Sequence, residues 1–142
     1  MLTHQLALAV IFLDLLKVRN PFLKGDILIH FGFQTDFEKF KQHGVDTIAC
    51  ISVNDPFVMH HWGKEHHADE KVLMLADGDA SFTRKLGIEK DTGEFGGIRS
   101  KRYVAHVNNG VVTHLAIDED GKFEVSSSEA SLHFIPKSLA SM

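Results

Sequence analysis

One cysteine, Cys50, stands in 142 residues. That excludes an internal disulfide, a two-cysteine redox cycle and a cysteine-rich zinc site. A basic surplus is also missing: 15 Lys and Arg face 19 Asp and Glu, for a formal charge of −4. Nucleic-acid binders carry a basic excess or stripe, so this balance argues against one. No apolar run reaches the ~20 residues needed to span a bilayer. The longest, Leu6 to Leu13, stops at Asp14. No basic stretch precedes it and no small-residue cleavage site follows it. Leu2 to Val18 is therefore a poor secretory signal and reads better as a buried or partner-covered helix. Left uncovered, it would be an apolar patch prone to association. Internal repeats and low-complexity linkers are absent. What remains is 44% hydrophobic and 24% charged, the mix of one soluble globular domain with a real core. Histidine is abundant, at ten residues. Full protonation would reverse the sign of the net charge, so behaviour should depend on pH below neutrality.

The elements alternate along the chain. Asp26 to Phe31 is a short apolar run between Gly25 and Gly32 and reads as a buried strand. Thr35 or Asp36 can cap a short helix that turns Phe37 and Phe40 inward and ends at Gly44. Asp46 to Val53 is rich in β-branched residues and reads as a second buried strand. Asp55 suits an N-cap before Pro56, and the helix that follows ends near His66. Val72 to Ala76 is a third strand, closed by Asp77-Gly78. Ser81 begins a short helix ended by Gly87. Gly93 to Gly97 holds three glycines and reads as a mobile loop. Tyr103 to Val107 and Val111 to Ile117 flank Asn109-Gly110, the strongest short-range hairpin signal. Ser126 to Ser128 can cap a last helix carrying Glu129, Leu132 and Phe134. Parallel crossovers followed by a hairpin predict one mixed sheet with helices on both faces, an α/β fold.

Four blocks carry a resemblance: ACISVNDPFVMHHWGKEH (Ala49 to His66), KVLMLADGDASFTRKLG (Lys71 to Gly87), GGIRSKRY (Gly96 to Tyr103) and NNGVVTHLAIDEDGKFEVSSSEASL (Asn108 to Leu132). In order and spacing they resemble peroxiredoxins of the fifth subfamily, and the last is most similar to its glutathione-dependent members. The resemblance implies a thioredoxin-like fold over 21–142, after a divergent apolar segment 1–20. It implies reduction of hydrogen and alkyl peroxides by a low-pKa cysteine thiolate, with glutathione as external reductant and no bound cofactor. It implies a homodimer, or a heterodimer with an active relative, in the cytoplasm or mitochondria. The family's reactive loop has the pattern P-x-x-x-T-P-x-C, and no such stretch occurs here. Ungapped, the nucleophile would fall at or next to Gly25 and Asp26. In the preferred alignment, 22–33 supplies the strand and runs straight into the helix, with the loop deleted. Neither leaves a thiol at the reactive position. The resemblance therefore implies an activity that is impaired or absent. The alternatives are a non-catalytic variant acting through dimerisation or partner binding, and a sequence record that has lost the loop.

Few residues remain to carry chemistry. Cys50, the only thiol, lies mid-strand in IACISV, where an apolar setting raises its pKa and excludes peroxide; buried and structural is the expected role. Arg102 matches the family arginine that pairs with the thiolate, and would here be a cation without its anion. Arg99 and Lys101 read as solvated surface. Ser126 falls near the position of a resolving cysteine in two-cysteine members, although a helix cap accounts for it. His60, His61, His66 and His67 lack the three- or four-residue spacing of zinc ligands on one helix. His60 and His67 would stand ~10 Å apart by helix rise, so no metal site is expected. His30, His106 and His114 lie in strands, where ordinary packing is the default.

Overall fold

The computed structural model describes residues 7–11, 32–68 and 70–135. In chain order these form β1 (Ala7–Ile11), α1 (Phe37–Gln42), β2 (Thr47–Ser52), α2 (Pro56–Glu65), β3 (Val72–Ala76), α3 (Ser81–Lys85), β4 (Glu89–Asp91), β5 (Ile98–Ser100), β6 (Tyr103–Asn108), β7 (Val111–Ile117) and α4 (Ser128–Phe134). The main sheet runs β3-β2-β1-β6-β7, and β4 and β5 form a separate pair. β1 is parallel to β2 and antiparallel to β6, so the sheet is mixed as expected.

The first strand is a correction. Ala7–Ile11 was expected within a helix and is instead the middle strand, hydrogen-bonded on both edges into the sheet of the 21–142 unit. The physical reason is length. A short, wholly apolar stretch suits a middle strand paired on both edges, and periodicity alone cannot tell that from a buried helix. The strand expected at Asp26 to Phe31 lies outside the described residues.

Alternation along the strands splits the core in two. On one face Ile48, Cys50, Val72 and Val104 meet Phe33, Phe40, Met59, Trp62 and Ile135 from the helices. Phe33 and Phe40 stack at 5.2 Å. On the other face Ile51, Tyr103 and Ala105 pack against Ile88. Each large side chain fully removed from water contributes ~1.5–3 kcal/mol, so the first cluster carries most of the stability.

Local chemistry explains most boundaries. Asp55 accepts a hydrogen bond from Val58 N at 2.9 Å, and Pro56 needs no partner at the first helical position. Asn109 and Gly110 both have positive φ, 50° and 78°, which the tight hairpin requires. Gly93 to Gly97, expected as a mobile loop, is a hydrogen-bonded turn. Thr92 N donates to Gly97 O at 2.9 Å, and Gly97 N donates to Gly93 O at 2.9 Å. Of the expected caps, Asp36 makes no cap bond of its own helix, while at α4 Ser127, within the expected Ser126 to Ser128, accepts from Ala130 N.

Asp77 does more than close β3. It is buried, and its carboxylate accepts from Phe82 N at 3.0 Å, Thr83 N at 2.9 Å and Thr83 Oγ1 at 2.7 Å. Ala80, the residue before α3, cannot cap and has φ 58°. The helix start therefore depends on Asp77. We expect Asp77→Ala to lower the unfolding free energy by roughly 1–3 kcal/mol, because it strands buried donors. Urea unfolding checks this; a change below about 0.5 kcal/mol would refute the dependence.

Candidate functional site

Cys50 lies in the middle of β2, fully buried among Ile48, Met59, Trp62 and Val104. Burial pushes its thiol far above the ordinary thiol range. Through Ile11 it lines up with Val104, two strands away. Two strand spacings are ~10 Å, and Arg102 lies two residues beyond Val104. The two residues singled out by sequence are thus not brought together.

Arg102 is half-buried against the turn after β7. Its Nη1 donates to Lys122 O at 2.9 Å, and the guanidinium lies 5.8 Å from the centre of the Phe123 ring. Its own carbonyl accepts from Asp118 N at 2.9 Å. Asp118 is buried and organises the next turn, accepting from Glu124 N at 3.1 Å, Val125 N at 2.7 Å and Ser126 Oγ. Ser126 is fully buried in that contact. Its hydroxyl is committed to Asp118, which corrects the helix-cap assignment.

Arg99 corrects a second expectation. It is half-buried, not solvated. Its Nε donates to Gly96 O at 2.8 Å, and its Nη1 donates to Val53 O at 2.6 Å and Asn54 Oδ1 at 3.3 Å. One guanidinium thereby ties the glycine turn to the carboxyl end of β2. These residues, with Gly78, Asp79 and Arg84, line an open cleft of about 520 Å³. The cleft sits beyond the carboxyl ends of β2 and β3, where open α/β sheets place ligands. No local signal separates Arg99 from Lys101, which is exposed as expected. The partners of Arg99 lie 45 and 46 residues away.

His60, His61 and His67 are exposed, and His66 meets the Trp62 ring edge-on at 6.1 Å. Among the described residues no three His, Cys, Asp or Glu side chains are grouped to hold a metal ion. His30 lies outside the described residues. His106 and His114 do pack, but against each other, with ring centres 5.0 Å apart. A strict two-residue hairpin would set His106 opposite Thr113. A bulge between His106 and Val107 moves His114 into that place, a shift the sequence does not announce.

Comparison with known proteins gives three results. The redoxin family profile matches residues 30–132. The chain is 42% identical over 104 residues to a protein named Peroxiredoxin-2E, chloroplastic, of Arabidopsis thaliana, covering 71% of this chain and 44% of that one. It is 44% identical over 102 residues to Peroxiredoxin-2C of Oryza sativa subsp. japonica, covering 71% and 63%. The chain thus spans about half the length of these relatives. Among solved structures, reduced Prx3 of Vibrio vulnificus in complex with hydrogen peroxide superposes with TM-score 0.82 at 41% identity, over 93% of this chain and 80% of that one. The expected thioredoxin-like α/β fold is borne out by these matches.

Arg99 generates the prediction of this site. Arg99→Ala should raise amide exchange of residues 92–97 at least about tenfold, the equivalent of ~1.4 kcal/mol, while β2 amides keep their protection. Hydrogen–deuterium exchange reads both regions at once. Unchanged exchange at 92–97 would remove the clamp.

Proposed function

This chain belongs to the redoxin family, as a peroxiredoxin, and we propose that it supplies the peroxiredoxin scaffold without a working thiol nucleophile of its own. Thiol-dependent reduction of hydrogen and alkyl peroxides at the expense of glutathione is the family activity. In this chain, as it stands, that activity is impaired or absent. Its role is assembly with a second chain, a copy of itself or an active relative.

The observation that carries this reading is the burial of Cys50. Peroxide reduction begins when a thiolate attacks one oxygen of the O–O bond. The sulfur becomes a sulfenic acid and the other oxygen leaves as water or alcohol. The thiolate is the reacting form, and access decides whether peroxide meets it. Cys50 lacks access, and burial opposes its ionisation. Arg102, the counterpart of the thiolate-pairing arginine, is occupied by the Lys122–Phe123 turn.

Hydrogen peroxide at low dose, followed by intact-mass measurement, tests the chemical half. We expect no rapid gain of one oxygen, and the same slow methionine oxidation in the wild type and in Cys50→Ser. A fast gain lost in Cys50→Ser and reversed by glutathione would overturn the reading and make the chain a peroxidase.

Assembly is supported by exposed rings. Phe57 is 85% exposed at the start of α2, and Phe95 is 72% exposed in the turn that Arg99 ties to Val53 and Asn54. Both border the carboxyl ends of the parallel strands. Each lies within two residues of a residue that lines the cleft, Asp55 or Gly96, and large exposed aromatics mark an interaction face. Sedimentation at micromolar concentration, alone and with an intact relative, should show a dimer that Phe57→Asp weakens by tenfold or more, or about 1.4 kcal/mol. A monomer under both conditions would count against assembly.

A further inference from the structure

The helix α4 is fastened in two different ways. At its start, Ser127 Oγ accepts from Ala130 N at 3.1 Å, and Ser128 Oγ donates to Asp36 Oδ2 at 2.9 Å. Asp36 also accepts from Lys39 Nζ at 2.8 Å. Further along, α4 rests on imidazole rings. Ser131 Oγ and His106 Nε2 are 2.8 Å apart, both buried. His106 faces His114 across the β6–β7 pair, and His114 stacks on Phe134 at 4.4 Å. Nε2 of His114 is buried, with no hydrogen-bond partner among the described residues.

The charged surroundings of this stack are sparse. β1 has no titratable residue, β7 has none besides His114, and β6 adds only Tyr103, which packs on the opposite face. α4 brings Glu129 and His133. Glu129 interacts with Lys39, toward α1, and His133 meets the outer edge of Phe134. Asp36, Glu38, Lys39 and Lys41 lie on and before α1, at the other end of α4. Among the described residues no carboxylate is placed to neutralise an imidazolium in the stack. Burial, and then His114, push the His106 imidazole down to about 4. Burial pushes the Asp36 carboxyl up, but hydrogen bonds from Lys39 and Ser128 outweigh it and hold the group below its ordinary value.

We propose that the His106–His114 pair is an acid-sensitive latch: protonation frees the carboxyl end of α4 from the sheet while its start stays anchored on Asp36. The sign follows from the neutral, buried state of His106. Its folded pKa lies below the unfolded value, so the latch is closed above about pH 6.5 and loosens as pH falls toward 4. Asp36, held below its ordinary carboxylate value by Lys39 and Ser128, gives up its charge only at lower pH than the imidazoles take theirs, so the start of the helix remains the hinge. Opening exposes Leu132 and Ile135, which pack in the core cluster, and uncovers the apolar face beneath them.

Hydrogen–deuterium exchange across pH, corrected for the intrinsic pH dependence of exchange, tests this on the whole chain. Between pH 7 and 4.5, amides of Leu132 to Ile135 should exchange at least about tenfold faster, and those of Ile48 to Ser52 should not. The double variant His106→Gln, His114→Phe keeps a polar partner for Ser131 and an aromatic ring on Phe134, and should hold its α4 protection across the same range. If that variant does not fold, His114→Phe alone must shift the opening to lower pH. The latch is refuted if wild-type α4 stays protected at pH 4.5. It is equally refuted if α4 and β2 open together, or if the variants open at the wild-type pH.

Discussion

The sheet depends on five residues. Ala7–Ile11 pairs with β2 on one edge and β6 on the other. Without it the other four strands fall into two pairs, β3-β2 and β6-β7, with no backbone hydrogen bond between them. A two-stranded ribbon is marginal in water. Each face of the core also draws on both halves: Val104 with Ile48 and Cys50, and Tyr103 and Ala105 with Ile51. A middle strand must be apolar on both faces and free of proline, and this segment meets both demands.

Polar groups do the remaining organising, and few of them are local. Asp77 seats the start of α3, Asp118 seats the turn that leads to α4, and Arg99 joins the glycine turn to the end of β2. In each case a buried or half-buried charged group is met by backbone, hydroxyl or amide partners rather than by an opposite charge. The ion pairs among the described residues, such as Lys90–Asp120, lie at the surface, where they contribute little. Loops here are positioned by hydrogen bonds to buried charges, which are about twice as strong as neutral ones.

This division explains what could be read from the sequence. β2, α2, β3, α3, the β6–β7 hairpin and α4 were legible because each announces itself within ten residues through a cap, a turn dipeptide or an apolar run. β1 was misread because eight apolar residues carry no period that separates strand from helix. The β4–β5 pair was missed because three-residue strands have no pattern. At the site, the burial of Cys50 was legible from its apolar neighbours. The roles of Arg99, Ser126 and the histidine pair were not, since each depends on a partner brought close only by the fold or by one bulge.

The same core that makes the fold legible works against chemistry at the one thiol. Cys50 occupies a fully buried strand position in the same core cluster as Met59 and Trp62 of α2. Opening that position to peroxide would cost contacts on which α2 depends, because a packed interior does not leave a void the size of a substrate. Catalysis by a thiolate needs the reverse: a residue at a helix start or loop, facing solvent and supported by a cation. In this chain the exposed rings and the open cleft lie at the carboxyl ends of β2 and β3, while the thiol lies inside the core. A surface suited to contact and a sulfur suited to packing are therefore separate features, and only the first is accessible from outside.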